Sequence, residues 1–316
     1  MRLVITGAAG FIGSHFLELA LKTNNIEKKF EEIVVIDALT YASDKAHLEF
    51  LQSKFIFQFI EADISNLSSM SELIKNKDHI VNFAAESHVD NSLNNSLDFV
   101  KSNVLGASIL LELSKSKKIK KFIQISTDEV YGTISEGQWD ENSKVDPNSP
   151  YSSSKASADL IAMSFFRSHG VPVLITRSSN NYGPRQNSEK FVPKVILNIL
   201  NSTEIPVYGN GENVRDWIFV EDNALAIWKL LISGTPGQIY NIGGGTEMSN
   251  LHLIESISLL MEKKPKIVFV EDRKAHDLRY SITTTKILRE INFKPEINLE
   301  SGLKRTIEYY VKRSGK

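Results

Sequence analysis

Short β-branched apolar runs alternate with longer stretches of helical spacing through the first half of the chain. The runs are Leu3 to Thr6, Ile33 to Asp37, Ile56 to Ala62, His79 to Ala84, Phe122 to Ser126 and Val173 to Arg177. Strands separated by helices in this way predict βαβ units and a parallel sheet. Beyond about residue 180 the elements shorten and turn signals crowd in, at Asn180-Asn181-Tyr182-Gly183-Pro184, Tyr208-Gly209-Asn210-Gly211 and Gly243-Gly244-Gly245. The expected architecture is α/β. A doubly wound parallel sheet occupies residues 1–180, and 181–316 form a smaller, irregular lobe, some of whose strands and helices return to the first.

Composition narrows this only a little. With 316 residues, 41% hydrophobic and 24% charged, the chain buries a large core in one domain or two. Lys+Arg (37) nearly balances Asp+Glu (38), a net charge of -1, so no nucleic-acid or membrane partner is expected. The basic run Lys115 to Lys121 reads as a solvated helix end. Cysteine is absent, which excludes disulfides, thiolate metal ligands and a cysteine nucleophile and fits a reducing compartment. No metal is expected. The sequence runs from Met1 straight into a strand, and no apolar stretch approaches the ~20 residues needed to span a bilayer, so the expected location is cytoplasmic.

The first strand turns into helix through Thr6-Gly7-Ala8-Ala9-Gly10-Phe11-Ile12-Gly13, with the helical pattern Ser14 to Lys22 behind it. Glycines at such a strand-turn-helix junction permit a tight turn and close backbone approach, and the helix N-terminus offers free N–H groups to a pyrophosphate. The second strand ends in Asp37, 24 residues after Gly13. A carboxylate there accepts ribose hydroxyls and repels a 2′-phosphate, favouring NAD over NADP. The sheet is thus expected to be Rossmann-type. Asp63-Ile64 closes the third strand, where an adenine ring fits, although an Asp at a strand end equally serves as a helix cap.

Tyr151-Ser152-Ser153-Ser154-Lys155 places Tyr and Lys four apart on one helix face. A neighbouring ammonium is expected to lower the phenol's pKa from ~10 toward neutrality, making it a proton acceptor. Ser126-Thr127, at the end of the strand Lys121 to Ser126, adds a hydroxyl able to share a proton with that Tyr. At these residues the chain resembles the extended short-chain dehydrogenase/reductase family, over nearly its whole length. The run Ser126-Thr127-Asp128-Glu129-Val130-Tyr131-Gly132 resembles its nucleotide-sugar 4,6-dehydratase branch. So do Ala84-Ala85-Glu86-Ser87-His88-Val89-Asp90, Arg177 to Pro184, Glu189-Lys190, Arg215-Asp216-Trp217, Tyr240 to Gly244 and His276-Asp277-Leu278-Arg279-Tyr280.

The resemblance implies an NAD-dependent lyase acting on a nucleoside-diphosphate hexose, dTDP-glucose first and UDP-glucose as the alternative. Tyr151, with Lys155, accepts the 4-hydroxyl proton as hydride leaves C4, and Thr127 positions that hydroxyl. Glu129 takes the C5 proton and Asp128 protonates the departing 6-hydroxyl, so the two carboxyls need different environments. Gly7, Gly10, Phe11, Ile12, Gly13, Asp37, Asp63, Ile64, Ala84, Ala85, Tyr151 and Lys155 are implied for the cofactor. Ser87, His88, Asn181, Lys190, Arg215, His276, Arg279 and Tyr280 are implied for the substrate in the second lobe.

The chain departs from the family pattern at Arg185-Gln186-Asn187-Ser188 and at Lys274-Ala275, on the nucleotide side. Surplus apolar residues at Leu97 to Ser114 and Ser154 to Ser168 match the family's paired helices, implying a homodimer. A 4-epimerase would share the glycine loop, Thr127, Tyr151 and Lys155 but has no use for Asp128-Glu129. A non-catalytic dinucleotide sensor would leave the whole constellation unexplained.

Overall fold

The computed structural model describes residues 1–272 and 277–315. Strand and helix alternate as β1 (Arg2–Thr6), α1 (Phe11–Glu27), β2 (Glu32–Asp37), α2 (Lys45–Gln52), β3 (Gln58–Glu61), α3 (Leu67–Leu73), β4 (His79–Asn82), α4 (Val89–Asn94), α5 (Ser96–Phe99), α6 (Ala107–Ser116), β5 (Lys121–Thr127), α7 (Pro150–His169) and β6 (Val173–Ser178). There follow β7 (Asn180–Tyr182), α8 (Phe191–Asn201), β8 (Glu204–Tyr208), β9 (Val214–Phe219), α9 (Val220–Ser233), β10 (Ile239–Ile242), β11 (Glu247–Ser249), α10 (Asn250–Met261), β12 (Lys266–Val270), α11 (Thr285–Ile291) and α12 (Leu299–Arg313).

Seven strands form one sheet in the order β10-β6-β5-β4-β1-β2-β3, every neighbouring pair parallel. The winding reverses between β1 and β4, so a crevice opens there beyond the carboxyl ends of the strands, where such sheets hold ligands. Strands β1, β2, β5 and β6 are buried along nearly their whole length, because helices cover both faces. Alternation assigns the faces. Leu3 and Ile5 join Phe16, Leu17, Val35 and Trp228 on one side, while Val4 joins Val34, Ile36, Ile80, Leu110 and Phe122 on the other. Each such enclosed side chain contributes roughly 1.5–3 kcal/mol relative to exposure.

The second lobe holds a three-stranded sheet, β11-β9-β7, and a parallel pair, β8 with β12. Its core gathers Tyr182, Ile196, Trp217, Phe219, Leu253 and Leu303. The later chain also returns to the first sheet: β10 pairs with β6, α9 packs on α1, and α11 packs on β10. Among the described residues no helix is long and apolar enough to cross a membrane.

Two local expectations need correction. The pattern from Leu97 to Ser114 predicts one helix, but residues Val100–Gly106 form a π-helical segment between α5 and α6. Asn103 explains the widening. Its buried side chain turns inward to accept from the Glu86 N–H (2.8 Å) and to donate to the Glu86 carbonyl (3.0 Å) and Ser154 Oγ (2.8 Å). Such π-segments recur at functional sites. The basic run 115–121 is not wholly solvated either, since Lys121 lies in β5 and its ammonium donates to the carbonyls of Leu230 and Gly234.

Candidate active site

The crevice at the β1/β4 switch opens into a cleft with roughly 1640 Å³ of non-atom space, counted out to its mouth. Its lining runs from Gly7, Gly10 and Asp37 past Tyr151 and Lys155 to Asn181 and Lys190. Gly7, with φ +70°, leads into the cleft, and a side chain there would meet the backbone of Ala84 at 2.4 Å. At Gly13 a Cβ would strike the Gly7 carbonyl at 2.3 Å. These clashes fix both glycines. Helix α1 starts at Gly10 with no side-chain cap and no acidic residue in its first turn, which leaves its amides and dipole available to an anion.

Asp37 is buried in the same wall. Its Oδ2 accepts from the Ala9 N–H (2.8 Å), and its Oδ1 accepts from the Leu39 N–H (2.9 Å) and Ser43 Oγ (3.1 Å). A carboxylate has about four acceptor sites, so one remains for a ribose hydroxyl. Asp63 and Ile64 also line the cleft. Of the two readings of Asp63, the helix cap is excluded, because Asn66 caps α3 and Asp63 accepts instead from the N–H and hydroxyl of Ser65 and from Lys101.

Strand β5 delivers Thr127 at its carboxyl end, and its Oγ1 caps the 3-10 turn Asp128–Tyr131 by accepting from the Glu129 N–H at 3.2 Å. Tyr131, at the end of that turn, donates to Asn241 Oδ1 on β10 (2.8 Å). Opposite, Ser149 and Ser152 form a reciprocal capping box with Pro150 in the first turn, which starts α7 one residue before Tyr151. Thr127, Asp128, Glu129, Tyr151 and Lys155 therefore line one wall.

The two acidic residues differ in burial, Asp128 being buried and Glu129 only partly so. Burial, reinforced by the charges of Glu129 and Asp216, raises the Asp128 carboxyl well above the usual range. Its Oδ2 has no hydrogen-bond partner among the described residues. Burial thus favours the protonated form of Asp128, against the Arg215 charge and the Thr127 hydroxyl.

The expected depression of the Tyr151 phenol is not found. Burial and then the Glu129 charge push it up, against a hydrogen bond from Thr127. Lys155 is itself desolvated, its pKa lowered to about 8, and its ammonium donates to the Ile125 carbonyl at 2.5 Å. Spacing along the helix foretold the Tyr-Lys neighbourhood but not its burial beside two carboxyls.

Phe11, Ile12, Gly10, Ala84, Ala85, Ser87, His88, Asn181 and Lys190 line the cleft as well. Lys190 reaches across it to donate to the Ser87 carbonyl (2.8 Å), and His88 Nε2 stands 3.8 Å from Glu189. Arg215, Arg279 and Tyr280 lie behind the acidic turn rather than in the cleft wall. Arg215 donates to the Val214, Leu278 and Asp277 carbonyls and stacks over Tyr280 at 4.4 Å. Tyr280 donates to Asp277. Arg279 is spent on Glu247 in a two-pronged ion pair (2.7 and 3.0 Å). His276, with Lys274 and Ala275, lies outside the described residues.

Sequence reasoning did not single out the lining residues Thr40 to Ser43, and it gave Ser178, Ser179, Gln186 and Asn187 no individual role although it marked the runs that hold them. The available signal was position, since a polar, turn-forming run directly follows Asp37. The departing segment at Arg185 has its own physical reason. Arg185 takes φ +67° and its guanidinium pairs with Glu18 of α1 at 3.1 Å.

The family model described as GDP-mannose 4,6 dehydratase matches residues 4–306. A dTDP-glucose 4,6-dehydratase of Streptomyces niveus is 42% identical, covering 98% of this chain and 93% of that protein. The low-salt glycan biosynthesis protein Agl12 of Haloferax volcanii is 43% identical, covering 98% and 99%. The crystal structure of DesIV, a dTDP-glucose 4,6-dehydratase of Streptomyces venezuelae with NAD bound, superposes with a TM-score of 0.96 at 40% identity, covering 100% and 98%. A UDP-glucose 4-epimerase of Thermotoga maritima reaches 0.90 at 27% identity, so the backbone is common to both reactions while the sequence sides with one. Matched along almost its full length, the chain belongs to the nucleotide-sugar 4,6-dehydratase family.

Proposed function

We propose that this enzyme is NAD-dependent and converts dTDP-glucose to dTDP-4-keto-6-deoxyglucose. The observation that carries the reading is Asp128, a buried carboxyl pushed toward its protonated form, whose Oδ2 has no partner among the described residues and which lines the cleft with Glu129, Tyr151 and Lys155. An epimerase needs no such acid. When bound, NAD would supply the acceptor for the C4 hydride and the donor that returns it to C6. Thr127 holds the 4-hydroxyl, and Tyr151 takes its proton as the phenolate, a form that burial and the Glu129 charge disfavour and that the cationic Lys155 on the same helix face would favour. The resulting 4-keto group acidifies C5–H, so Glu129 removes that proton while Asp128 gives one to the departing 6-hydroxyl. Water leaves, and a hydride at C6 with a proton at C5 restores saturation. Lys190, Asn181, Ser87 and His88 are placed to hold the nucleotide sugar, and the acceptor site left on Asp37 favours NAD over a 2′-phosphorylated coenzyme.

The test incubates purified protein, without added coenzyme, separately with dTDP-glucose, UDP-glucose and UDP-N-acetylglucosamine. The expected product is dTDP-glucose less one water, with a deuterium placed at C4 recovered at C6. A 4-epimer that keeps its C4 deuterium and all its oxygens overturns the reading, and water loss from UDP-glucose alone reassigns the base.

We further propose a cytoplasmic homodimer built on α5 to α7. Leu97 (74% exposed), Val100 (50%), Leu105 (48%) and Leu160 (64%) stay open to solvent on these adjacent helices, an apolar face of the kind that pairs across a two-fold axis. Leu97→Arg with Leu160→Arg is expected to halve the solution mass. A monomeric parent chain at micromolar concentration refutes the assembly.

A further inference from the structure

Behind the Tyr151-Lys155 pair lies a charge cluster that the reaction itself does not use. Asp159 follows Lys155 by four residues on α7, which sets their Cβ atoms roughly 5–6 Å apart on one face. Asp159 is 1% exposed and accepts from Arg177 Nε of β6 at 2.9 Å, with Arg177 itself 3% exposed. Its second oxygen, Oδ1, has no hydrogen-bond partner among the described residues. The Arg177 guanidinium in turn lies 4.6 Å over the ring of Tyr131, the last residue of the turn that bears Asp128 and Glu129. Two cations and one carboxylate are therefore enclosed together. Removing the carboxylate charge would leave Lys155 with burial unopposed, and the lysine, unlike the arginine, escapes by losing its proton.

We propose that Asp159 and Arg177 are positioning residues. Asp159 keeps the enclosed Lys155 ammonium charged so that it can act on Tyr151, and Arg177 ties that charge to the acidic turn through Tyr131. Burial drives Lys155 toward neutrality and the Asp159 charge opposes it; burial also raises the Asp159 carboxyl, against the Arg177 and Lys155 charges and the Ser126 hydroxyl. Tyr151 shares the helix face of this lysine and the Ile125 carbonyl on β5 accepts from its ammonium, while the charges of Glu129 and Asp128 on the turn act on Tyr151. Glu141 and Asn241 reach only the far side of Tyr131.

This inference rests on the proposed roles of Tyr151 and Lys155, so the experiment reads the first half-reaction directly. Holoenzyme is mixed with dTDP-glucose in a single turnover, and reduction of bound NAD+ is followed at 340 nm from pH 6 to pH 10. Asp159→Asn alone strands Arg177, so the main variant is Asp159→Asn with Arg177→Gln, which removes both charges of the pair. Its alkaline limb is expected to move down by about one pH unit, about a tenfold loss at pH 9 with little change at pH 6. Asp159→Glu keeps the charge and should keep the parent limb. A uniform loss at every pH, an unshifted limb in the double variant, or a displaced limb in Asp159→Glu each overturns the proposal. Absence of any 340 nm signal in the parent enzyme would instead refute the hydride-transfer reading itself.

Discussion

Asp128→Asn and Glu129→Gln are each expected to stop water loss while oxidation of the bound sugar continues. Neither residue is needed to carry hydride from C4, and an amide at position 128 would keep the oxygen that accepts from Thr127 Oγ1 in the parent protein (3.3 Å). Turnover should fall by ~10² to 10⁴, the usual contribution of a positioned acid or base, or about 3–5 kcal/mol of barrier. The reduced coenzyme should accumulate, so absorbance at 340 nm rises and stays up. In the parent enzyme the dehydration step should weaken as pH rises through the elevated Asp128 pKa, because a general acid works only below it. The amide variant should lack that limb. Full dehydration rate in either variant would remove that residue from the mechanism.

Replacing Lys155 with Met should trade activity for stability. The gap between the ordinary value of 10.5 and about 8, at ~1.36 kcal/mol per unit, corresponds to about 3 kcal/mol of folding free energy spent on keeping this amine enclosed. The sign follows from proton affinity. The folded chain holds the proton less tightly than the unfolded one, so the cost is complete below pH 8, shrinks as pH rises toward 10.5, and vanishes above it. Methionine removes that cost but strands the Ile125 carbonyl, at about 1–3 kcal/mol. The net gain at pH 7 should be about 0–2 kcal/mol, with Asp159 left paired to Arg177. Hydride transfer should meanwhile fall by at least ~10². Denaturant melts at pH 7 and pH 10 check this, since the advantage of the variant must shrink between them. A variant less stable at pH 7, with unaltered pH dependence, contradicts it.

Elements whose cause is local were legible in the sequence. Val34-Val35-Ile36 is apolar throughout because helices cover both faces of β2, and the glycines at 7 and 13 are required by backbone atoms a few residues away or on the next strand. Tyr151 and Lys155 share a helix face by simple periodicity. What escaped depends on distant partners. The widening at Val100–Gly106 follows from Asn103 reaching for Glu86 and Ser154, and although a return of later strands was expected, which strand returns, Ile239–Ile242, depends on the open edge of β6. The upward shift of Tyr151 likewise needs burial and the Glu129 charge together, and spacing encodes neither. Arg279 carries a family-like motif, yet Glu247 claims its guanidinium, a competition visible only once β11 lies beside β9.

The place of β10 in the first sheet also bears on the order of events during synthesis. Tyr131, which ends the acidic turn, is held by Asn241, so the reacting groups cannot be set until the ribosome has travelled from one to the other. That takes roughly 5–20 s at ordinary elongation rates. Until then β6 forms an unpaired edge, open to other strands. The nascent chain thus shapes its glycine loop early and its acid late, and a product truncated before residue 242 would be an inert binder rather than a half-competent enzyme.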